Sequence, residues 1–343
     1  MITKIIAEDK VQKTKKYINH VDRIVIVSHI SPDGDAIGSS LALYHFLLEM
    51  DKSVNVIVPN EFPDFLKWLK GAHDIINYEN SPEIAAETIE AAELIFCLDF
   101  NTPKRIGNLG PLVEQAKAAK VMVDHHPEPN DFCNVTISHP EISSTSEMVF
   151  RLICRMGFFE DINRECAESI YTGMMTDTGA FTYNSNSDQV YYIISELLKK
   201  GIDKDAIYSK VYNTYTTDRV RLMGYITYEK MKVFKEYNTV LLTLSQEEQQ
   251  QFNVRKGDTE GFVNIPLSID GIVFSVFIKE DKDLIKISFR SRGNFPCNLF
   301  ASTHFGGGGH KNASGGEFYG SLEDAISLFE SVLPQYKDLL LKI

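Results

Sequence analysis

The chain has 343 residues, of which 43% are hydrophobic, and its formal net charge at pH 7 is −12. This length exceeds what one hydrophobic core usually supports, so we expect two domains. No run approaches the ~20 consecutive apolar residues of a membrane helix, and the first residues lack the long apolar stretch of a secretory signal. The acidic charge and the lack of an extended basic stripe argue against a protein that binds long duplex nucleic acid.

The cysteines show no Cys-x2-Cys spacing, and most of them lie in apolar stretches. This pattern favours buried free thiols over a structural zinc site. Because free thiols persist in a reducing compartment, we expect a cytoplasmic protein. The five cysteines are Cys97, Cys133, Cys154, Cys166 and Cys297.

Strand-like and helical segments alternate in the first half of the chain. This alternation is typical of a parallel sheet with helices on both faces, and it predicts an α/β fold. The predicted strands lie at about 23–28, 53–58, 94–98, 119–123 and 133–137, and the predicted helices at 37–50, 83–92, 111–118 and 145–156.

Helical patterns dominate from about 163 to 232, and the polar run Asn184–Asp188 marks the predicted end of the first domain. A glycine-rich loop and a last helix at 322–333 follow the next set of strands. These elements predict a second, smaller α/β domain. Its predicted strands are Thr239–Leu244, Ile272–Lys279 and Leu284–Arg290.

Acidic and histidine residues follow several apolar runs of the first domain. Because the carboxyl ends of successive parallel strands meet in one crevice, we expect these side chains to converge there. The segments are His29-Ile-Ser-Pro-Asp33-Gly-Asp35 after the first strand, Asp99 after the run Leu94–Leu98, Asp124-His125-His126 after Lys120–Val123, and Asp177 in the turn Met175–Gly179.

Each segment by itself has a simpler explanation. Pro32 to Asp35 is an ordinary turn sequence, and an Asp at the end of a strand commonly caps the next helix. A calcium loop is excluded because the Glu that such a loop needs twelve residues after its start is absent. Turn and cap preferences alone do not account for four such segments in one half of the chain.

Carboxylates together with one or two imidazoles suit hard or borderline ions, chiefly Mn²⁺ and Mg²⁺. Two such ions roughly 3.5–4 Å apart, bridged by a carboxylate and a water, generate a hydroxide that attacks phosphorus. The cluster therefore predicts a divalent-metal site that hydrolyses phosphoesters.

The four segments resemble the motifs of the DHH phosphoesterase superfamily, which includes RecJ-type exonucleases and manganese pyrophosphatases. In the second half, Arg290-Ser-Arg292 and then Gly306-Gly-Gly-Gly309-His310-Lys-Asn312 resemble the DHHA1 substrate domain. Together they resemble the stand-alone nanoRNases, which are bifunctional oligoribonucleases and 3′-phosphoadenosine 5′-phosphate phosphatases. The predicted parts are a DHH catalytic domain at 1–185, a helical connector at 186–235 and a DHHA1 domain at 236–343.

The resemblance implies two Mn²⁺ ions per active site, with Mg²⁺ as an alternative, and a role for each motif residue. One ion would be bound by His29 and Asp33, and Asp99 would bridge both ions. Asp124 would orient ligands, and His126 would face the scissile phosphate. The second ion would be bound by Asp35, His125 and Asp177.

The resemblance also implies a substrate site in the second domain. Arginine suits phosphate because its planar fork donates two parallel hydrogen bonds. A run of glycines by itself is typical of a flexible loop. The implied substrate residues are Arg290, Arg292, Gly307, Gly308, Gly309, His310 and Asn312.

Three functions remain open at this point. The first is hydrolysis of short single-stranded RNA and of 3′-phosphoadenosine 5′-phosphate to AMP. The second is hydrolysis of cyclic or linear dinucleotides, and the third is a nucleotide sensor without catalysis. Inorganic pyrophosphate is disfavoured as a substrate because the glycine-rich second domain resembles the nucleotide-handling type. The sequence leaves a homodimer open.

Overall fold

The computed structural model describes residues 4–255 and 257–342, and its packing divides the chain into two units between Thr214 and Tyr215. The predicted α/β class is confirmed for both units. The finer division at 1–185, 186–235 and 236–343 stays a prediction. No helix in the described part of the chain is long and apolar enough to cross a membrane.

A parallel sheet forms the centre of the first unit, with strand order β3-β2-β1-β4-β5-β6. Its inner strands are runs of Val, Ile, Leu and Phe that are buried along nearly their whole length, as expected for a parallel sheet covered on both faces. The strands are β1 (Arg23–Val27), β2 (Ser53–Val58), β3 (Ile76–Asn77), β4 (Leu94–Leu98), β5 (Ala119–Asp124) and β6 (Val135–Ser138).

Helices flank this sheet and leave apolar clusters on both of its faces. The two-residue strand β3 is too short for a sequence pattern to reveal, and it was not predicted. The helices are α1 (Glu8–His20), α2 (Gly34–Glu49), α3 (Pro82–Ala91), α4 (Leu109–Gln115), α5 (Thr145–Arg155), α6 (Arg164–Asp177), α7 (Asp188–Lys199) and α8 (Lys204–Tyr212).

The strand order reverses at β1, which pairs with β2 on one side and with β4 on the other. In open α/β sheets the crevice outside the carboxyl ends of the strands at such a switch point is where ligands bind. The chain leaving β1 leads to His29, and the chain leaving β4 leads to Asp99. The topology therefore places two of the predicted site residues side by side.

Helices α2 and α6 pack unusually closely because both carry a glycine at their contact. A Cβ added to Gly38 would lie 2.7 Å from the carbonyl oxygen of Ser169 and 2.8 Å from Gly173. A side chain at Gly34 would meet Thr176, so the start of α2 lies beside the end of α6. This packing brings Asp35, in the first turn of α2, towards Asp177, the last residue of α6.

A mixed sheet forms the second unit, with strand order β11-β12-β10-β9-β8-β7. A cluster of phenylalanines that includes Phe274, Phe289, Phe300 and Phe329 fills its core. The elements are α9 (Thr217–Glu229), β7 (Lys232–Phe234), β8 (Thr239–Leu244), α10 (Gln246–Gln251), β9 (Phe274–Glu280), β10 (Ile285–Ser291), α11 (Cys297–His304), β11 (Gly308–His310), β12 (Ala313–Phe318), α12 (Leu322–Val332) and α13 (Lys337–Leu340).

Part of the predicted glycine loop is a strand. Gly308 to His310 form β11, which pairs antiparallel with β12. A side chain at Gly307 would collide with the carbonyl oxygen of Gly315, and one at Gly309, whose φ is +136°, would lie 2.7 Å from that of Ala313. Glycine is needed at these two positions because the backbones approach too closely for a Cβ.

Candidate active site

His29 lies at the carboxyl end of β1 and is nearly buried. Its Nδ1 lies 2.8 Å from the carbonyl oxygen of Ile30. Because a carbonyl only accepts hydrogen bonds, Nδ1 carries a proton, so Nε2 is the nitrogen that has the lone pair when the ring is neutral. Nε2 lies 3.3 Å from Oδ2 of Asp99 and 4.0 Å from Oδ1 of Asp33. The imidazole is thus oriented with its basic nitrogen towards two carboxylates.

Asp33 is the N-cap of α2, and its Oδ1 accepts hydrogen bonds of 3.0 Å from the backbone N–H groups of Asp35 and Ala36. This cap explains why the helix begins at Gly34, three residues before the predicted start. The Asp33 side chain is half exposed, unlike the other acids near it. The segment from Pro32 to Asp35 can be both a turn and part of a metal site, because the cap hydrogen bonds fix the carboxylate of Asp33.

His125 repeats the arrangement of His29 on the other side of the cluster. Its Nδ1 lies 3.2 Å from the carbonyl oxygen of Ile142, so Nε2 is again the nitrogen that has the lone pair when the ring is neutral. Nε2 lies 3.6 Å from Asp99 Oδ1 and 3.8 Å from both Asp35 Oδ2 and Asp177 Oδ2. Burial opposes charge on this ring, but Asp177, Asp99 and Asp35 outweigh it and raise the pKa of His125 to about 9.

Asp35 is fully buried at the start of α2, and the amino end of α5 holds its carboxylate. The backbone N–H of Thr145 donates to Oδ2 at 2.6 Å, and that of Ser146 donates to Oδ1 at 2.9 Å. Burial, and then the charges of Asp99 and Asp177, hold the pKa of Asp35 well above its usual range. An added cation would relieve this unfavourable concentration of negative charge.

Asp99 lies at the centre of the cluster, directly after β4. Its backbone is in the left-handed region, with φ at +63°, a conformation that costs a non-glycine residue free energy and is concentrated at functional sites. Its N–H donates to the carbonyl oxygen of Val123 at 3.2 Å, which ties it to the neighbouring strand. Burial opposes the charge of this carboxylate, but the hydrogen bond with His29 and the nearby imidazoles hold the pKa of Asp99 well below its usual range.

The carboxylate of Asp124 is hydrogen-bonded to His126. Its Oδ1 accepts a 2.8 Å hydrogen bond from His126 Nδ1, and its Oδ2 accepts one of 3.1 Å from the His126 backbone N–H. The Asp124 side chain is completely buried at the end of β5. The carboxylate therefore fixes both the tautomer and the orientation of the neighbouring imidazole.

Within the described part of the chain, the predicted residues converge into groups whose ligand atoms all lie within 4.8 Å of one another. Two imidazoles direct Nε2, the nitrogen with the lone pair in the neutral ring, at the carboxylates, and five carboxylates lie among three imidazoles. This donor set fits a hard or borderline divalent ion. The groups are His29 with Asp33 and Asp99, Asp35 with His125 and Asp177, and Asp99 with Asp124 and His126.

Thr145 and Ser146 of α5, which hold carboxylates of the site, were not predicted from the sequence. Thr145 donates from its hydroxyl to Asp99 Oδ1 at 3.0 Å, in addition to its backbone bond with Asp35. The run Ser143 to Ser146, followed by Glu147, is a signal for the start of a helix. That signal predicts the helix but not its contact with residues far away in the chain.

Two of the predicted substrate residues, Arg290 and His310, lie at one level of the sheet of the second unit. Arg290 on β10 is opposite Ala313 on β12, and Ala313 is opposite His310 on β11. Directly opposite residues point to the same face of a sheet, so Arg290 and His310 share a face two strands apart. Arg292 follows β10 and is exposed. The unit thus presents two arginines and a histidine at one sheet end.

Asn312 stabilises a turn of this unit through hydrogen bonds. Its side-chain amide donates to the hydroxyl of Ser291 at 2.8 Å, and to the carbonyl oxygens of Gly293 and Phe295 at 3.3 and 3.4 Å. The backbone carbonyl oxygen of Asn312 accepts a hydrogen bond of 3.0 Å from the backbone N–H of Ser291. Asn312 therefore holds the turn that follows Arg290 and Arg292, in a position to orient those arginines.

Comparison with known protein families agrees with this architecture. Residues 23–174 match the DHH family, N-terminal domain, and residues 237–335 match the DHHA1 domain. The chain belongs to the DHH/DHHA1 family, and it is a hydrolase that acts on phosphoester bonds. The resemblance inferred from the motifs is confirmed.

Three similar proteins extend this result. A solved structure, an exopolyphosphatase-related protein from Bacteroides fragilis, is 61% identical with a TM-score of 0.95, and the match covers 99% of each chain. The bifunctional oligoribonuclease and PAP phosphatase NrnA of Thermus thermophilus is 28% identical over 92% of this chain and 89% of its own length. The cyclic-di-AMP phosphodiesterase PdeA of Listeria monocytogenes is 26% identical over 87% of this chain and 45% of its own length.

Proposed function

We propose that this protein is a metal-dependent exonuclease for very short RNA that also converts 3′-phosphoadenosine 5′-phosphate to AMP. The observation that carries the proposal is the pair of donor groups that meet at Asp99, whose two carboxylate oxygens face different imidazoles. The NrnA-type relative, which matches over nearly its whole length, supports the substrate class. The free cysteines support a reducing, cytoplasmic setting.

The proposed ligands divide into two sets. His29 and Asp33 hold one divalent ion, and Asp99 bridges to the other, which is held by Asp35, His125 and Asp177. Manganese is the proposed ion, with magnesium as the alternative, because both favour oxygen ligands and accept imidazole. When bound, such ions supply Lewis acidity towards phosphoryl oxygens and lower the pKa of water.

His126 is the proposed catalytic imidazole. Asp124 accepts a hydrogen bond from its Nδ1 and stabilises the ring in one tautomer, so that Nε2 is the atom proposed to contact the scissile phosphate. A histidine in this role stabilises the charge that develops on the phosphoryl oxygens and can donate a proton there. Asp124 acts through His126 and is its positioning residue.

The second unit is proposed to bind the part of the substrate that does not react. Arg290, Arg292 and His310 offer hydrogen bonds to a further phosphate or to the nucleotide, while Gly307, Gly308 and Gly309 present backbone groups without side chains. Asn312 supports this site by holding the turn after the arginines. A site with only a few cations fits a substrate with only a few phosphates, in agreement with the net charge of −12.

A second candidate function is hydrolysis of cyclic or linear dinucleotides. The match to the cyclic-di-AMP phosphodiesterase favours it, although this chain spans less than half of that protein's length. Both candidates use the same metal site and differ in what the second unit recognises. A nucleotide sensor without turnover is the remaining alternative, and the complete set of ligand residues argues against it.

One experiment separates these functions. The purified protein is incubated with Mn²⁺ and labelled RNA of two to five nucleotides, with 3′-phosphoadenosine 5′-phosphate, with a cyclic dinucleotide and with pyrophosphate, and the values of kcat/KM are compared. We expect short RNA and the adenosine bisphosphate to react fastest. A cyclic dinucleotide as the best substrate would support the second candidate, and binding without product from any substrate would support the sensor.

A further inference from the structure

Thr145, the first residue of α5, contacts two of the proposed metal ligands at once. Its backbone N–H donates to Asp35 Oδ2 at 2.6 Å, and its hydroxyl donates to Asp99 Oδ1 at 3.0 Å. The side chain is fully buried, so water does not compete for these hydrogen bonds. Thr145 therefore connects a carboxylate proposed to bind one ion with the carboxylate proposed to bridge both.

A buried local network stabilises the first turns of α5. The hydroxyl of Ser144 accepts from the N–H of Glu147 at 3.1 Å, and the carboxylate of Glu147 accepts from Ser143 and from Arg151. Both oxygens of Glu147 are engaged, and Glu147 and Arg151 are each at most 2% exposed. An ion pair this deeply buried is costly to disrupt, so the first turns of α5, which carry Thr145, are locally stabilised.

The two oxygens of Asp99 have different surroundings. Oδ2 lies 3.3 Å from His29 Nε2, whereas Oδ1 lies 3.6 Å from His125 Nε2. The hydroxyl of Thr145 donates to Oδ1 alone. Its hydrogen bond thus acts on the oxygen directed at the group formed by Asp35, His125 and Asp177.

We propose that Thr145 is a positioning residue that sets the affinity of the ion on the His125 side of the bridging carboxylate. This inference rests on the proposed two-ion site. The hydroxyl fixes the rotation of the Asp99 carboxylate, so that Oδ1 is already directed at the His125 group before an ion binds. Without it, His29 holds only the Oδ2 side of the carboxylate, and the cost of ordering Oδ1 falls on the ion held through that oxygen.

The test compares the wild-type protein with Thr145→Val and Thr145→Ser. Valine keeps the shape of threonine and removes the hydroxyl, whereas serine keeps the hydroxyl. The matched control is Thr172→Val, because Thr172 is equally buried and its hydroxyl donates only to the carbonyl oxygen of Glu168 in its own helix. Binding of Mn²⁺ to the metal-free proteins is measured by calorimetry and by electron paramagnetic resonance, and folding is checked by thermal unfolding.

We expect two Mn²⁺ ions to bind the wild type and one of the two to bind Thr145→Val about tenfold more weakly, the lower end of what outer-sphere substitutions cost. Thr145→Ser should restore that affinity, and Thr172→Val should match the wild type. Equal weakening of both ions, or no weakening in folded Thr145→Val, would overturn the inference while leaving the metal site intact. If Thr145→Val does not fold, full affinity for both ions in Thr145→Ala would overturn it. A wild type that binds no Mn²⁺ would overturn the proposed function, and the inference with it.

Discussion

The Oδ1 atom of Asp124 lies 2.8 Å from the Nδ1 atom of His126, and the other oxygen of the same carboxylate accepts from the His126 backbone N–H at 3.1 Å. The buried carboxylate of Asp124 thus forms hydrogen bonds with both the ring and the main chain of His126. Because of this pairing, we predict that replacing His126 and replacing His125 have different effects. The two residues are adjacent in sequence, and their ring centroids lie 5.0 Å apart.

His126→Ala should lower kcat by about 10²–10⁴-fold, the range for loss of a proton-transferring side chain, while bound metal stays near the wild-type level. His125→Ala should instead lose metal, since Nε2 of His125 is directed at three carboxylates. Steady-state kinetics and elemental analysis of both variants are the measurements. Loss of metal in His126→Ala would make His126 a ligand and contradict the assignment.

Asp99→Ala should abolish turnover and deplete bound metal. We expect kcat/KM to fall by more than ~100-fold, because removing a bridging ligand costs more than the 10- to 100-fold typical of outer-sphere groups. Asp124→Ala should reduce activity through the orientation of His126 and retain more metal. Glu90→Ala, an exposed acid on α3, is the control for loss of one negative charge. Near-normal turnover in Asp99→Ala would refute the two-ion site.

Arg290→Ala should impair nucleotide substrates far more than a small generic phosphodiester that occupies only the metal site. The expected difference in kcat/KM loss is more than about tenfold, since a charge-assisted hydrogen bond remote from the chemistry contributes only when the substrate reaches it. Lys286→Ala is the matched control, because Lys286 lies on the same strand and pairs with Asp281 at the surface. Equal losses on both substrates would show that Arg290 supports the fold.

Gly38→Ala should destabilise the first unit by about 1–3 kcal/mol, the usual cost of overpacking. Its Cβ would lie 2.7 Å from a backbone oxygen of α6, which cannot move aside as a flexible side chain can. Gly224→Ala, within α9 and with open space around the added Cβ, should instead stabilise the second unit by about 0.4–1 kcal/mol. Urea unfolding followed by probes in each unit measures both effects, and an unchanged first transition in Gly38→Ala would contradict the tight contact.

The sequence was sufficient to predict the α/β class and most elements of the parallel sheet. The run at 94–98 is continuous and apolar, and the run at 119–123 is apolar except for Lys120, as expected of strands covered on both faces. It was equally sufficient to group Asp99 with Asp124 and His29, because parallel strands bring their carboxyl ends to one edge. The strands β3, β7, β11 and β12 were not predicted, because β3 and β7 have only two and three residues and because β11 and β12 are rich in glycine.

What only the tertiary structure decided is how each carboxylate is held and which atom faces which neighbour. Thr145 is 46 residues from Asp99 in the chain and 110 from Asp35, and no local periodicity links them. Their contact exists because α5 begins beside the crevice, where Thr145 is fully buried. Local sequence sets strands, helices and caps through short-range forces, whereas the direction of a buried donor depends on how distant helices pack.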